Sequence, residues 1–218
     1  MGLAIFDLDN TLLGGDSDYL WGRFLVENGI VDAESYEREN QRFYDAYRDG
    51  TLDILEFLAF ALRPLADNDP TRLHAWRERF LAEKIHPVML PKALALLRHH
   101  REVGDTLLII TATNRFVTQP IAEALGVSHL LATDPEMENA CYTGRPLGIP
   151  CFQEGKVQRL TAWLGETGHT LEGSWFYSDS HNDLPLLNRV THPVAVDPDA
   201  ILADHAREKG WQIISLRD

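Results

Sequence analysis

The chain has 218 residues, 44% hydrophobic and 24% charged, with 33 acidic side chains against 20 Lys and Arg and a formal net charge of −13. That composition fits an ordinary soluble globular chain with one large core, or a core plus a smaller domain. The acidic balance argues against nonspecific binding to nucleic acid or anionic membrane, which needs clustered Lys and Arg. No apolar run reaches the ~18 residues of a membrane span. The N-terminus shows no basic n-region, so no secretory leader is expected. Cys141 and Cys151 lack CxxC spacing and read as free thiols of a cytoplasmic protein. Oligomeric state is not legible.

The first element, Ala4-Ile5-Phe6-Asp7-Leu8-Asp9-Asn10-Thr11-Leu12-Leu13, is a run of strand formers that ends in two carboxylates one residue apart. Side chains at i and i+2 of an extended segment share a face, so Asp7 and Asp9 stand together where a buried strand runs out. Two like charges at one point need a cation or a shared proton. The alternative is a strand that simply ends in an Asx-turn.

Gly14-Gly15 breaks the pattern. Leu20, Trp21, Phe24 and Leu25 then fall at helical spacing from about Asp16-Ser17-Asp18 to Asn28-Gly29. Tyr36, Phe43, Tyr44 and Tyr47 predict a second helix closed by Asp49-Gly50, and Leu55, Leu58, Ala59 and Leu62 a third stopped at Pro64. Asp69-Pro70 is an N-cap with Pro at the first helical position, opening a helix through Leu73, Trp76 and Phe80. Residues 14–85 are therefore expected to form an all-helical insert.

From His86 the pattern alternates. Pro91 to Val103 is helical and Thr106 to Ile110 is an unbroken apolar run, as in a strand buried on both faces. A helix through Leu125-Gly126 contains Pro120, which predicts a kink or two short helices. His129 to Ala132 reads as a strand. Glu136 to Tyr142 with the turn Thr143-Gly144-Arg145-Pro146 suggests a hairpin. A helix from Gly155 to Leu164, a strand Ser174–Ser178, a strand Pro193–Val196, a helix from Pro198 to Lys209 and a strand Trp211–Ile214 complete the alternation. The expected fold class is α/β: a doubly wound, Rossmann-like parallel sheet core over residues 1–13 and 86–218, with the helical domain 14–85 inserted after the first strand.

In open parallel sheets the site lies off the carboxyl ends of the strands. The first strand delivers Asp7 and Asp9; the second delivers Thr111, Thr113 and Asn114; the run ending at Tyr177 delivers Ser178-Asp179-Ser180-His181-Asn182-Asp183. Glu154-Gly155-Lys156 stands ahead of a helix in a chain where Lys is scarce. If these ends lie side by side, the cluster is too acidic to stand without a divalent cation. Hard oxygen ligands suit Mg²⁺ better than zinc. Taken singly, Thr111 could only end a strand, Lys156 could sit on a helix surface, and Asp179 and Asp183 could be helix caps.

Together, Asp7-Leu8-Asp9-Asn10-Thr11, Thr111, Lys156 and Asp179-Ser180-His181-Asn182-Asp183 resemble the four ordered motifs of the haloacid dehalogenase superfamily of phosphohydrolases. The insert is similar to the small helical cap of its phosphoserine-phosphatase-like subfamily. The resemblance implies Asp7 as nucleophile through an aspartyl-phosphate, and Asp9 as general acid and then base. It implies Mg²⁺ held by the Asp7 carboxylate, the Asp9 backbone carbonyl and Asp179, with Asp183 acting behind them or through water. Thr111, Lys156 and Asn182 would bind phosphate, and Asn114 phosphate or substrate, with turn chemistry the alternative for both asparagines. His181 departs from the small residue common at its position and reads as a loop residue.

Within that family, Asp9 argues against dehalogenation, and the absence of Lys from Gly14 to Glu83 argues against phosphonatase chemistry. What remains is hydrolysis of a small-molecule phosphomonoester. Asp16 and Asp18 lie just past the glycines, where an acidic rim would favour an organic cation; as helix caps they would have no such role. The stretch from Asp7 to Trp21 also resembles bacterial histidinol-phosphate phosphatases of this subfamily, whose substrate carries an amine and an imidazole but no carboxylate. Phosphoserine is the alternative, with Arg23, Arg42 or Arg48 as candidates for its carboxylate. A phosphotransferase and a noncatalytic binding module are further alternatives on the same fold.

Overall fold

The structure, a computed structural model describing residues 2–217, leaves Met1 and Asp218, the outermost residues of the expected core, outside it. Seven strands form one sheet: β1 (Leu3–Phe6), β2 (Thr106–Asn114), β3 (His129–Glu138), β4 (Cys141–Leu147), β5 (Trp175–Ser178), β6 (His192–Val196) and β7 (Gln212–Ile214). Their order is β4-β3-β2-β1-β5-β6-β7, every pair parallel except β3 with β4. The four residues of β1 are all buried because each face of the sheet carries its own apolar layer. Ala4 and Phe6 join Ile109 and Tyr177 on one side, while Leu3 and Ile5 join Leu108, Ile110 and Phe176 on the other. This is the two-sided burial that a continuous apolar run signals. The fold is the expected doubly wound α/β arrangement.

Between β1 and β2 lie α1 (Ser17–Glu27), α2 (Ala33–Arg48), α3 (Ile54–Ala61), α4 (Arg63–Ala66) and α5 (Pro70–Phe80), then a π-helical turn Leu81–Ile85, a 3₁₀ turn His86–Val88 and α6 (Pro91–Glu102). The later helices are α7 (Arg115–Ala124), α8 (Glu154–Thr167), α9 (Leu184–Leu187) and α10 (Ala200–Lys209). In α1, α2, α3 and α5 an aspartate, Asp16, Asp32, Asp53 or Asp69, accepts a first-turn N–H, satisfying donors the helix itself leaves open. Trp21, Phe24, Leu58, Leu62, Leu73 and Phe80 of these helices continue the apolar layer that begins at Phe6. The chain entering this segment pairs with the chain leaving it: Leu13 bridges Met89 antiparallel, and Gly14 N donates to Val88 O at 2.7 Å.

Three local expectations are corrected. Pro64 does not stop the third helix; α3 ends at Ala61 and Pro64 sits in the first turn of α4, where no N–H is required of it. Pro120 neither kinks nor splits α7, which runs unbroken from Arg115 to Ala124. The carbonyl that Pro120 leaves without a donor is that of Phe116, and Arg77 of α5 fills it, Nη1 to O at 3.0 Å. The Arg77 guanidinium also lies over the Phe116 ring, 4.8 Å from its centroid. The hairpin exists as β3–β4, but its turn is Asn139-Ala140, both at positive φ (51° and 64°), and not Thr143-Gly144-Arg145-Pro146, which lies within β4.

Candidate active site

Strand order reverses at β1: β2 and β3 extend to one side and β5, β6 and β7 to the other. Such a switch point opens a crevice at the carboxyl ends of the central strands. Asp7 N donates to Tyr177 O at 2.9 Å, which carries the β1–β5 pairing one step past the end of β1. Asp7 is 3% exposed. The chain then turns sharply through Asn10, at φ 56°, a conformation asparagine tolerates better than most residues.

Lys156 joins the two halves of the crevice. Its Nζ lies 2.7 Å from Asp7 Oδ1 and 2.7 and 2.9 Å from the two oxygens of Asp183. The side chain is 1% exposed, far from the surface position open to it from sequence alone. Gly155 explains how it gets there. A Cβ at Gly155 would stand 2.0 Å from Pro150 O, so only glycine allows the start of α8 to close over that loop. Burial disfavours the Lys156 ammonium, but Asp183 and Asp7 outweigh it and hold the pKa above its ordinary value.

The other carboxylates are equally determined. Asp183 Oδ2 accepts from Ser178 Oγ at 2.7 Å, so with Lys156 both its oxygens are engaged inside the protein. Asp179 Oδ1 accepts from Thr11 Oγ1 at 3.0 Å, and Thr11 in turn accepts from Asp179 N at 3.1 Å. Asp9 Oδ1 takes the backbone N–H of Ser17 at 2.6 Å, and its Oδ2 takes Thr113 Oγ1 at 2.9 Å and Thr111 Oγ1 at 3.3 Å. The first turn of α1 is thereby tied to a strand-end carboxylate.

Burial pushes the Asp7 carboxyl up to about 8; Lys156 pulls it down, while Asp183 and Asp9 raise it further. Burial and then Asp7 raise Asp179 well above the carboxylate range. Among the described residues no three His, Cys, Asp or Glu side chains are grouped as a metal site by themselves. Mg²⁺ does not require three: it is ordinarily held by one or two carboxylates and keeps several waters. Lys156 and Thr11 occupy one oxygen each of Asp7 and Asp179. The buried Asp7 and half-buried Asp179 carboxylates, with hard oxygens to offer, fit that ion. The structure turns Asp183 to Lys156 and Ser178, behind Asp7.

The opposite wall of the crevice comes from the helices. Together the two walls line a cleft. Asp7, Asp9, Thr111 and Thr113 line it from the strand ends; Asp16, Asp18, Tyr19, Asn40, Phe43, Tyr44, Tyr47 and Phe57 line it from the helices. Burial pushes Asp16 up to about 7, and the Asp9 charge adds to the rise. Burial, then Asp16, then Asp9 raise Asp18 well above the carboxylate range.

Not every expected residue reaches the cleft. Asn182 was expected on the phosphate, yet its Nδ2 donates to Tyr47 O at 3.0 Å and to Ser180 Oγ, and its Oδ1 accepts from Gln153. Asn114 caps α7 by accepting from Val117 N. Arg23, Arg42 and Arg48 are exposed and paired with Glu27, with Glu39 and Glu56, and with Asp45 and Asp49. His181 packs its ring under α2: its Nδ1 and backbone N meet Asp199 Oδ2, and its Nε2 stands 2.7 Å from where a Cβ on Gly50 would be. Sequence reasoning missed Thr113 as an Asp9 partner and the aromatic wall altogether. The hydroxyls of Tyr44 and Tyr47 were the available signal, since a stripe meant only for a core has no use for them.

The haloacid dehalogenase-like hydrolase family matches residues 4–188. A histidinol-phosphatase of Neisseria meningitidis serogroup C (strain 8013) is 44% identical over 99% of both chains. The crystal structure of a protein of unknown function from Bordetella pertussis Tohama I superposes with a TM-score of 0.93 at 45% identity, over 98% of each chain. A phospho-aspartyl intermediate analogue of phosphoserine phosphatase superposes with a TM-score of 0.72 at 18% identity, over 99% of this chain and 93% of that one, a likeness of fold. The chain belongs to the haloacid dehalogenase-like hydrolases, and within them it is a phosphatase.

Proposed function

We propose that the protein is a Mg²⁺-dependent phosphomonoesterase that hydrolyses histidinol phosphate through a phosphorylated Asp7. The observation that carries the substrate is the character of the helical wall: aromatic rings and two carboxylates, Asp16 and Asp18, with the nearby arginines turned to surface partners. A phosphate ester bearing an ammonium and an imidazole suits that wall. The carboxylate of phosphoserine would meet Asp16 and Asp18 instead of a cation. The 44% identity to a histidinol-phosphatase supports the same reading.

The chemistry follows from the strand ends. An Asp7 carboxylate oxygen attacks phosphorus as the bond to the leaving alkoxide breaks, and Asp9 gives that alkoxide its proton. Asp9 then takes a proton from water, whose oxygen attacks phosphorus and releases Asp7 and inorganic phosphate. Lys156 holds Asp7 in place and, with the Thr111 hydroxyl, neutralises charge on the phosphoryl oxygens. Mg²⁺, held by Asp7, the Asp9 backbone carbonyl and Asp179, supplies Lewis-acid stabilisation of the same oxygens when bound. Asp183 acts one step back by orienting Lys156, and Asn182 by tying its loop to α2. Residues 14–85 serve as the cap over a core of 1–13 and 86–218. The two unpaired cysteines support a cytoplasmic site of action.

The test is a phosphomonoester panel with Mg²⁺, with EDTA, and with Asp7→Asn. Histidinol phosphate should be the preferred substrate, EDTA should abolish turnover, and Asp7→Asn should lower kcat by at least about 10⁴-fold. Activity surviving that substitution, or a preference for phosphoserine, would overturn the assignment. Partitioning of phosphate to added alcohols would mark a phosphotransferase.

A further inference from the structure

We propose that Asp18, and not Asp16, reads the far end of the substrate: its Oδ2 accepts an N–H from the imidazole ring, which lies among Phe43, Tyr44 and Phe57. This rests on the histidinol-phosphate reading and divides the acidic pair into two different jobs. Asp16 is the N-cap of α1, and its Oδ1 accepts from Tyr19 N at 2.8 Å. Asp18 lies two residues on, in the same first turn, and caps nothing. Its Oδ2 is shut off from water and has no hydrogen-bond partner in the protein. A carboxylate oxygen in that state is unfavourable until a donor arrives. Asp18 lines the cleft, beside Phe43, Tyr44 and Phe57.

Asp9 belongs to the phosphoryl end; its Oδ1 takes the N–H of Ser17, and Asp16 and Asp18 stand on either side of Ser17 at the start of α1. Histidinol phosphate runs from phosphoryl oxygen to methylene, to the carbon bearing the ammonium, to a second methylene, to the ring. Laid from Asp7 toward the aromatic wall, it brings the ammonium to the level of Asp16 and the ring to the level of Asp18. Phe43 and Phe57 meet edge to face at 5.4 Å, and Tyr44 tilts against Tyr19 at 5.2 Å. Flat π surfaces of this kind accept a planar heterocycle and give nothing specific to a hydroxymethyl or carboxylate group.

The experiment compares histidinol phosphate with 2-aminopropyl phosphate, the same amino-alkyl ester without its ring, in the full chain loaded with Mg²⁺. Asp18→Leu removes the acceptor, and Asp18→Asn keeps the shape while removing the charge. The ratio of kcat/KM for the two substrates should fall about 10- to 100-fold in Asp18→Leu, carried mainly by KM, and less in Asp18→Asn. Asp16→Asn, which retains a capping oxygen, should leave that ratio within about 3-fold. Because Oδ2 has no partner to lose, Asp18→Leu should melt no earlier than the parent, which separates recognition from folding. Inhibition by inorganic phosphate should move by less than about 3-fold, since phosphate occupies only the strand end. A ratio preserved in both Asp18 variants, or an equal loss on both substrates, overturns the proposal. A parent enzyme with no preference for the ring-bearing ester overturns the reading beneath it as well.

Discussion

At the strand end of the cleft every buried charge has a protein partner: Lys156 couples Asp7 to Asp183, Ser178 donates to Asp183, and Thr11 and Asp179 bond each other both ways. At the helical end, Asp18 Oδ2 has no hydrogen-bond partner in the protein. The first end is complete before a substrate enters, so its geometry does not depend on which ester arrives. The second is incomplete by one hydrogen bond, so it distinguishes esters by what they bring. Preorganised electrostatics favour a fast chemical step, and a missing partner favours discrimination.

The contrast can be attacked from its stronger side first. Lys156→Met leaves Asp7 and Asp183 buried without their cation, and chemical denaturation should show a loss of about 3–5 kcal/mol. A loss below about 1 kcal/mol would mean the network is not what holds the strand end together.

A smaller effect is expected where the two ends meet. Gly50 has φ 70° and its missing Cβ faces His181 Nε2, whereas Gly29 has φ 62° with nothing within 4 Å. Ala at either position carries the left-handed penalty of about 1–2 kcal/mol. Gly50→Ala should exceed Gly29→Ala in lost stability and should also raise KM for histidinol phosphate, because His181 and Asn182 seat α2 on the loop bearing Asp179. Equal melts and unchanged kinetics for the pair would show that the contact is incidental.

The gentlest test is pH. Asp7 is pushed up to about 8 and Asp16 to about 7, both first by burial, so the metal-free folded protein retains protons that the unfolded chain releases near 4. With more protons bound to the folded state, stability is fullest below about 4 and falls as pH rises through 7 and 8. Thermal melts between pH 5 and 8 should therefore decline in EDTA and decline less with Mg²⁺, which favours ionised Asp7. Parallel curves would place the cation elsewhere.

The strand end was legible from sequence and the helical end was not, for a physical reason. Residues at strand ends inherit their position from a strong two-sided apolar pattern, so Asp7, Thr111 and Asp179 could be placed by where the runs stop. Phe43, Tyr44 and Tyr47 recur at helical spacing, and periodicity reports that they share a face without reporting what that face meets. Asn182 followed the motif yet turned its amide to Tyr47 O, because a helix C-terminus offers carbonyls to any nearby donor. The hairpin turn was misplaced since Thr-Gly-Arg-Pro is the stronger local signal, while Asn139-Ala140 needs positive φ that Ala rarely adopts. Pro120 was misjudged because its compensation comes from Arg77, 43 positions earlier in the chain.

That last compensation bears on how far the helical segment is exchangeable. Arg77 belongs to α5 and the carbonyl it satisfies belongs to α7, so the proline in one part of the molecule is tolerable on account of an arginine in the other. A helical segment without an arginine at this position would leave α7 with an open carbonyl at Phe116, and Pro120→Ala is the change that would make the recipient permissive.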